Sequence, residues 1–485
     1  MSSVKDRARV AGGLSPVGGH VGAAVRTNAS TGGPGDAWQP LSWDGRPTAQ
    51  PLAYPDAAAV DAAVSRLRQL PPLVTSGEIV RLKTLIAEAQ EGKRFLLQGG
   101  DCAESIDECR PEVITAQLKI LLQMSLVLVH GMKKPVIRLG RFAGQYAKPR
   151  SKAVEAQDGV ELPSYFGDIV NRAPFTAEAR TPNPRNMVDC YHHAAMTLNF
   201  IRSLLDGGFA DLHHPEHWDL RFVHHADLPP DLKSEYETMT RSLAEALRFM
   251  EALGDKSVDE LSGVEFFTSH EGLNLLYESA QTRMVPRKAG WWNLTTHLPW
   301  IGERTRNLDG PHVEYFRGIE NPVGVKVGPA TTPDEVMATI DALNPDDSAG
   351  KLVLIHRMGA RKVAVSLPPL LERVKAEGRR VLWVCDPMHG NTRSAGDGSG
   401  VKTRDFDDIL AELETAMDCH AAAGTVLGGV HFELTGDDVT ECVGGGIGVT
   451  EADLAENYQS ACDPRLNYQQ ALEMAFLLAR RTNGE

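Results

Sequence analysis

The sequence predicts an α/β protein, a (β/α)8 TIM barrel with an N-terminal extension and an inserted helical subdomain. From residue 94 onward, short runs rich in β-branched residues alternate with amphipathic helical segments, the pattern of parallel strands joined by helices. This alternation supplies eight strand candidates, the number that closes such a barrel. The connection between the second and third candidates spans roughly 120 residues, far more than an ordinary loop, and indicates an insertion.

The first 93 residues precede this alternation. Residues 1–50 are rich in Gly, Ala, Ser and Pro without a sustained period, so we expect a flexible tail. Residues 51–93 are predicted to form a helical extension, because residues 56–70 have apolar side chains at helical spacing before a Pro-Pro break. The catalytic barrel is then predicted over residues 94–485, with its helical insertion at about 160–260.

Eight segments are the predicted barrel strands. They are residues 94–99, 136–141, 264–269, 291–298, 322–327, 351–357, 379–386 and 426–434. Thr332, Pro333 and Glu335 are typical of a helix start, as N-cap, first helical proline and capping-box glutamate. Residues 406–423 place apolar side chains on one helical face and end at a glycine. Within the insertion, residues 187–205 and 232–253 have helical patterns.

Composition excludes several classes of protein. The chain has 50 Lys and Arg against 64 Asp and Glu, a net charge of −14, which argues against nucleic acid or an anionic membrane as the main partner. Seven cysteines in 485 residues are too few for a disulfide scaffold. The N-terminus lacks the apolar core of a signal peptide, and the apolar run 120–129 is too short to span a bilayer. We therefore expect a cytoplasmic protein.

Barrel enzymes carry their active sites at the carboxyl ends of the strands, so polar side chains there are the candidates for function. Single basic residues are usually solvated surface. Six basic residues, however, follow strand ends and are therefore predicted to face the same mouth of the barrel. Like charges converge in this way only where bound anions offset their repulsion. Arginine binds phosphate or carboxylate with two hydrogen bonds, so we expect two small anionic substrates with about two phosphates and one carboxylate between them. The six cations are Arg141, Lys148, Arg150, Arg304, Lys326 and Arg357.

A second group of strand-end residues combines sulfur, nitrogen and oxygen donors. Its members are Cys102, His389, Glu433 and Asp463. Such a set suits a divalent transition metal such as Mn²⁺, Co²⁺, Fe²⁺ or Zn²⁺ rather than Mg²⁺ or Ca²⁺. Taken singly, however, a cysteine is more often a small buried hydrophobe and a histidine a hydrogen-bonded core residue. The four residues are far apart in the sequence, so the pattern leaves both interpretations open.

Six longer motifs contain these residues. They are 99–104 (GGDCAE), 140–151 (GRFAGQYAKPRS), 300–306 (WIGERTR), 324–329 (GVKVGP), 385–392 (CDPMHGNT) and 462–467 (CDPRLN). From about residue 40 to the C-terminus, the chain resembles the type II 3-deoxy-D-arabino-heptulosonate 7-phosphate (DAHP) synthases. The resemblance implies a metal-dependent transferase that condenses phosphoenolpyruvate with erythrose 4-phosphate, the first step of the shikimate pathway to aromatic amino acids.

The resemblance also implies a role for each candidate residue. The implied metal ligands are Cys102, His389, Glu433 and Asp463, and the metal is Mn²⁺ or Co²⁺ in vitro, with Fe²⁺ or Zn²⁺ as alternatives. The implied phosphoenolpyruvate site consists of Arg141, Glu303, Arg304, Lys326 and Arg357. The implied erythrose 4-phosphate site consists of Lys148, Arg150 and Ser151. The implied catalytic residues are Lys148, Glu303, Lys326 and His389.

In the implied reaction, Arg141 and Lys326 hold the carboxylate of phosphoenolpyruvate while two arginines clamp its phosphate. Glu303 orients the water that adds after carbon–carbon bond formation. Either Lys148 or His389 protonates the alkoxide, and for His389 this role competes with metal ligation. Cys462 adjoins the implied ligand Asp463. In relatives, the cysteine at this position can form a redox-sensitive disulfide with the metal-ligating cysteine, which corresponds to Cys102. In a reducing cytoplasm we expect a free buried thiol instead.

Several alternatives remain open at this point. A variant that makes aminoDAHP from an imino sugar phosphate, in an antibiotic pathway, shares these motifs. A second hypothesis is that the chain is a Schiff-base aldolase with Lys326 as nucleophile. A third is that it is a regulatory scaffold for chorismate mutase. The expected partners are a second copy of the chain (homodimer or homotetramer), aromatic amino acid effectors and chorismate mutase. The histidine-rich stretch 211–217 is predicted to be a solvated loop rather than a metal site.

Overall fold

A computed structural model of the chain describes residues 37–157, 159–207, 209, 230, 234, 238, 264–396 and 398–483. Eight parallel strands form a closed barrel, in which each strand pairs with its neighbours in chain order. The first and last strands close it, with Leu96 opposite Gly429 and Gly100 opposite Glu433. The strands are β1 (Phe95–Gly100), β2 (Val136–Arg141), β3 (Phe266–Glu271), β4 (Leu298–Ile301), β5 (Val323–Val327), β6 (Leu352–His356), β7 (Leu382–Cys385) and β8 (Leu427–Glu433). The predicted (β/α)8 barrel is confirmed.

Helices precede the barrel, connect its strands and end the described chain. They are α1 (Ala57–Gln69), α2 (Ser76–Gln90), α3 (Pro111–Met132), α4 (Ala177–Arg180), α5 (Arg185–Asp206), α6 (Leu275–Ala280), α7 (Pro311–Phe316), α8 (Pro333–Leu343), α9 (Val363–Ser366), α10 (Pro368–Ala376), α11 (Phe406–Ala423) and α12 (Tyr468–Asn483). Short 3₁₀ helices lie at Ile106–Glu108 and Glu451–Ala455. Three small antiparallel hairpins pair Val154–Gln157 with Val160–Pro163, Thr282–Arg283 with Trp292–Asn293, and Arg393–Ser394 with Lys402–Thr403.

The predicted strand at residues 291–298 is wrong. The barrel strand begins only at Leu298, and the preceding residues form a hairpin strand and a buried loop. Asn293 and Thr295 turn their side chains to the buried carboxylate of Glu278, with donor–acceptor distances of 2.7 Å each. The hydrogen bonds to this carboxylate stabilise the loop in place of strand pairing, because a buried charge without hydrogen-bond partners is costly. The third strand also starts later than predicted, at Phe266.

Helix α2 covers the amino-terminal end of the barrel. It begins with a capping box in which Thr75 Oγ1 accepts from the Glu78 backbone N–H at 3.2 Å, while the Glu78 carboxylate accepts from the Thr75 backbone N–H at 2.7 Å. Its buried face, which includes Leu82 and Ile86, joins the apolar cluster of the inward-facing strand residues. With this end covered by α2, the opposite, carboxyl end of the strands is the mouth of the barrel.

Helix α3 is long and apolar enough to cross a membrane by length and composition alone. Within the protein, however, 67% of its most apolar stretch is buried, and it packs against α12. The run 120–129 is thus part of a 22-residue helix, longer than the sequence indicated. Gln123, which interrupts that run, is buried and accepts a hydrogen bond of 2.7 Å from the Tyr468 hydroxyl. Core packing therefore accounts for the hydrophobicity of α3.

Helices α1 and α2 fall within the predicted extension 51–93, and α4 and α5 fall within the predicted insertion at about 160–260. The division into domains itself remains a prediction. Residues 1–36 of the predicted tail, the stretch 211–217, and residues 232–253 apart from Ser234 and Thr238 lie outside the described residues.

Candidate active site

The four candidate metal ligands converge at the carboxyl end of the barrel. Cys102 follows β1, His389 follows β7, Glu433 ends β8, and Asp463 lies in the segment before α12. One donor atom each of Cys102, Glu433 and Asp463 lie within 4.8 Å of one another. Nε2 of His389 is 2.9 Å from Glu433 Oε1. We call these four residues the donor cluster; the fold brings them together from the ends of three strands, the first, the seventh and the eighth, with Asp463 in the connection after the eighth.

The ammonium of Lys148 sits at the centre of the donor cluster. Its Nζ is 2.7 Å from Cys102 Sγ and 2.8 Å from Asp463 Oδ2. It is also 3.2 Å from Glu433 Oε1 and 3.5 Å from His389 Nε2. Burial opposes the charge of Lys148, but the anions around it, Asp463 most, raise the pKa of the ammonium well above its usual range. The four donors thus surround a point that favours a cation, and their sulfur, nitrogen and oxygen atoms fit a divalent transition metal.

Glu433 has a positive partner on each carboxylate oxygen. Arg141 contacts Oε1 at 3.1 Å, and Arg404 contacts Oε2 at 2.7 Å with both side chains fully buried. Arg404 is itself held by Thr392 Oγ1 at 2.9 Å. Although burial opposes ionisation, His389 and Lys148 together with these two arginines hold the pKa of Glu433 well below its usual range. Glu433 is therefore a carboxylate, the form that ligates metals.

Asp386, the residue after β7, orients His389. Its Oδ2 lies 2.7 Å from His389 Nδ1, and its Oδ1 accepts from the backbone N–H of His389 at 3.2 Å. This contact places the ring proton on Nδ1, so the lone pair of Nε2 faces the donor cluster. Burial lowers the pKa of His389, despite the neighbouring carboxylates, which favours the neutral imidazole. Oδ2 of Asp386 also forms an ion pair with Lys326.

Two of the predicted substrate cations lie against Trp300, the buried side chain near the end of β4. The guanidinium carbon of Arg141 is 5.3 Å from the ring centroid and Lys326 Nζ is 5.9 Å from it. Arg141 NH1 also lies 2.8 Å from His431 Nε2. Burial lowers the pKa of Lys326 to about 8, although Asp386 opposes the shift. These two cations therefore form a fixed wall beside the donor cluster.

The loops after β4 and β6 carry the remaining predicted residues of the phosphoenolpyruvate site. Glu303 Oε1 accepts from Arg306 at 3.2 Å, whereas its buried Oε2 has no hydrogen-bond partner in the part of the chain that is described. Burial raises the pKa of Glu303, although Arg306 opposes the shift. Arg357 NH2 donates to the His389 carbonyl oxygen at 2.5 Å. Arg304 is exposed and, among the described residues, has no ion-pair partner.

The predicted erythrose 4-phosphate residues extend from the donor cluster toward solvent. Arg150 is half-buried, with NH1 3.5 Å from Cys462 Sγ and NH2 2.8 Å from Glu155 Oε1. Ser151 is exposed, and no hydrogen bond of its side chain is seen within the described chain. Cys462 packs against Cys102, and both are free thiols in the structure. The series from buried Lys148 to exposed Ser151 therefore follows one path out of the mouth.

Comparison of the sequence with known proteins identifies the family to which the chain belongs. Residues 38–479 match the model of the Class-II DAHP synthetase family. The chain belongs to this family. It is therefore an enzyme, a DAHP synthase, and the resemblance drawn from the motifs is confirmed.

Three curated relatives agree with this DAHP synthase assignment. The phospho-2-dehydro-3-deoxyheptonate aldolase of Neurospora crassa is 48% identical over 458 residues, 91% of this chain and 94% of its own. The enzyme of the same name from Streptomyces coelicolor is 47% identical, over 90% of this chain and 96% of its own. Phospho-2-dehydro-3-deoxyheptonate aldolase AroG of Mycolicibacterium smegmatis is 44% identical, over 89% of this chain and 91% of its own.

Sequence reasoning about this DAHP synthase missed several side chains of the mouth. Arg404 follows a small hairpin rather than a barrel strand, so the rule of strand ends does not point to it. Asp386 does end a predicted strand, and its spacing of three residues from His389 was an unused signal. Trp300 and His431 are buried aromatic rings whose contact with Arg141 depends on the closure of the barrel.

Proposed function

We propose that this DAHP synthase joins phosphoenolpyruvate and erythrose 4-phosphate at the carboxyl mouth of the barrel. The observation that carries the proposal is the contact between Lys148, one of the predicted substrate cations, and the donor cluster. Lys148, a predicted phosphate ligand, lies within 3.5 Å of all four members of the donor cluster. A substrate that extends from Lys148 outward to Arg150 and Ser151, with its phosphate at the outer end, would thus have its aldehyde oxygen beside the donor cluster.

The donor cluster would hold the divalent metal through Cys102, His389, Glu433 and Asp463. When bound, such a metal supplies Lewis-acid stabilisation of the negative charge that develops on an aldehyde oxygen. Mn²⁺ or Co²⁺ would serve in vitro, and Fe²⁺ or Zn²⁺ suits the same donors. A neutral His389 and an ionised Glu433 are the protonation states that ligation needs.

Phosphoenolpyruvate would lie along the wall formed by Arg141 and Lys326. These two cations would hold its carboxylate, since both are fixed against the face of Trp300. Arg304 and Arg357 would clamp its phosphate from the loops after β4 and β6, because guanidinium groups match phosphate oxygens with paired hydrogen bonds.

Erythrose 4-phosphate would take the outward path of Lys148, Arg150 and Ser151. Its phosphate would lie nearer to solvent and its aldehyde nearer to the donor cluster. Two phosphates fixed at opposite ends of the mouth would bring C3 of the enol phosphate to the aldehyde carbon.

Bond formation between these carbons leaves an alkoxide on the former aldehyde and positive character at C2 of the enol phosphate. Lys148 would protonate the alkoxide, since it carries donor hydrogens, whereas the N–H of His389 points to Asp386. Water then adds at C2, and Glu303 would take its proton at the unpartnered Oε2. Cleavage of the bond between C2 and the phosphate oxygen then releases phosphate, which takes the proton of the C2 hydroxyl group as the ketone of DAHP forms.

The test measures the loss of phosphoenolpyruvate with and without erythrose 4-phosphate, EDTA and added Mn²⁺. Wild type is compared with Cys102→Ala and with the matched control Cys109→Ala, whose half-buried thiol lies outside the donor cluster and contacts Thr197 Oγ1 at 3.5 Å. We expect turnover to need both aldose and metal, to vanish in Cys102→Ala and to persist in Cys109→Ala.

Two results would redirect the proposal. Turnover that survives EDTA removes the metal roles and points to Lys326 as a Schiff-base nucleophile, which borohydride would trap with substrate. Erythrose 4-phosphate that stays inert with metal present points instead to the imino sugar phosphate of an aminoDAHP synthase.

We also propose that the chain works in the cytoplasm as a homodimer or homotetramer. Aromatic amino acids and chorismate mutase are the proposed effectors and docking partner, since this step leads to aromatic amino acids. Light scattering of the purified chain, with and without phenylalanine, tyrosine or tryptophan, tests the assembly. A monomer at micromolar concentration would contradict it.

A further inference from the structure

A second cluster of donor atoms lies on the outer side of the barrel wall. His356 ends β6, Cys385 ends β7 directly opposite it, and Glu412 faces them from α11. One donor atom of each lies within 4.8 Å of the others, and all three side chains are fully buried. Within the described residues, the only other such group of donors is the one in the active site. Cys102 is its cysteine, so the two groups are separate.

His356 is the residue that points to a ligand. Both nitrogens of its buried ring are without a hydrogen-bond partner among the described residues. Nε2 of His420 is also buried and unpartnered there, and its ring lies 5.7 Å from that of His356. Folded proteins pair nearly all buried polar groups, because an unpaired one loses its hydrogen bonds to water without replacement. A bound ion would supply the missing partner.

The donor set selects a class of ion. Imidazole nitrogen, thiolate sulfur and carboxylate oxygen together suit zinc and similar divalent transition metals. The charges also balance, since one thiolate and one carboxylate offset a divalent ion and His356 stays neutral. Such a neutral site avoids the cost of an uncompensated buried charge.

The carboxylate of Glu412 is already oriented by its neighbours. Oε1 accepts from the Met358 backbone N–H at 2.7 Å, and Oε2 accepts from Asn391 Nδ2 at 2.8 Å. These two partners lie in the loops after β6 and β7, next to Arg357 and His389. An ion bound to Glu412 would therefore stiffen the base of both loops of the mouth.

We propose that His356, Cys385 and Glu412 form a second, structural site for a divalent transition metal of the zinc class, with His420 as the nearest further donor. Binding replaces the proton on Cys385 Sγ, and any proton on Glu412, with the metal; the protons pass to solvent. Oxidation states do not change.

The test uses the full chain with both active-site thiols removed, Cys102→Ala/Cys462→Ala, loaded with Co²⁺ and passed over a desalting column. Bound cobalt is counted by elemental analysis, and thiolate ligation is read from the sulfur-to-cobalt charge-transfer absorption. We expect this chain to keep the absorption band and about one tightly bound equivalent. Adding Cys385→Ser should remove both, whereas adding Cys190→Ser, at a buried cysteine of α5, should remove neither.

The first measurement needs no substitution in the second cluster, so misfolding of a core variant cannot obscure it. The proposal is overturned if the Cys102→Ala/Cys462→Ala chain, with wild-type circular dichroism, shows no charge-transfer band. It is equally overturned if the band persists after Cys385→Ser. His356→Gln provides an independent check, since it should weaken cobalt binding while leaving every cysteine in place.

Discussion

Asp386→Asn is the substitution that tests the geometry of the mouth most directly. One fully buried carboxylate orients the proposed ligand His389 and pairs with the proposed substrate cation Lys326. It also accepts backbone N–H groups of Met388 and His389 at 3.0 and 3.2 Å. Asparagine keeps one acceptor oxygen but turns an N–H₂ group toward groups that are themselves donors. At least one of these contacts is therefore lost.

The magnitude follows from those contacts. Loss of the partner that orients a metal-ligating histidine lowers metal affinity about 10–100-fold, which corresponds to about 1.4–2.8 kcal/mol. Removal of one member of a buried ion pair costs about 3–5 kcal/mol of stability. Lys326 would relieve part of this cost by losing its proton, because burial already lowers its pKa to about 8. A neutral Lys326 binds a carboxylate poorly, so the KM for phosphoenolpyruvate should rise at neutral pH.

The assay is a competition between protein and chelator for Mn²⁺, combined with steady-state kinetics and urea unfolding. The control is Asp334→Asn in the first turn of α8, an aspartate whose side chain is 87% exposed and pairs with Arg373 at 3.2 Å. The control should match wild type in metal affinity and in KM. If folded Asp386→Asn binds Mn²⁺ within twofold of wild type, the orienting role assigned to Asp386 is wrong.

Three further substitutions test packing, capping and buried charge. In Gly131→Val the new side chain would overlap Ala479, so α3 and α12 must separate; urea unfolding should show a loss of about 1–3 kcal/mol, and unchanged stability would contradict this contact. Thr75→Ala removes the acceptor for the Glu78 backbone N–H and should cost about 1 kcal/mol in the same assay with turnover unchanged; a large loss of turnover would show that α2 does more than cover the barrel. Burial lowers the pKa of Lys351 to about 7, against about 10.4 when unfolded, so the unfolded chain binds more protons between those values and stability should rise with pH across that window. Lys351→Met should flatten this rise relative to wild type, and equal slopes of unfolding free energy against pH would refute the buried-lysine account.

The barrel could be predicted because its signals are local. Strand runs and helix caps, such as Thr332 with Glu335, are legible in a few consecutive residues, and the structure contains that capping box. The predicted bounds of the fourth strand were wrong because the predicted segment includes Asn293 and Thr295. Their side chains donate hydrogen bonds to the buried carboxylate of Glu278, a residue elsewhere in the chain. No local pattern contains that requirement.

The site could be predicted only as a set of residues at strand ends. That rule brought the donor cluster together correctly, since the carboxyl ends of all eight strands meet at one mouth. It could not give the pairing among these residues, because ion pairs form across loops that are distant in sequence. Arg404 is the clearest case, since it reaches the fully buried Glu433 from a hairpin that belongs to no barrel strand.

The pairing also explains how a chain with a net charge of −14 can serve anionic substrates. Three predicted substrate cations each contact a carboxylate of the mouth: Arg141 contacts Glu433, Lys148 contacts Asp463, and Lys326 contacts Asp386. In the structure Glu433 pairs with Arg141 and Asp463 pairs with Lys148. A divalent ion bound to these two carboxylates would replace Arg141 and Lys148 as their partner. Both cations could then bind phosphate or carboxylate oxygens of the substrates. Metal and substrate would then strengthen each other's binding, and by thermodynamic linkage by the same factor. The two groups of residues that the sequence separates by chemistry are therefore one electrostatic unit, in which Arg141, Lys148 and Lys326 each have an acidic partner before the substrates bind.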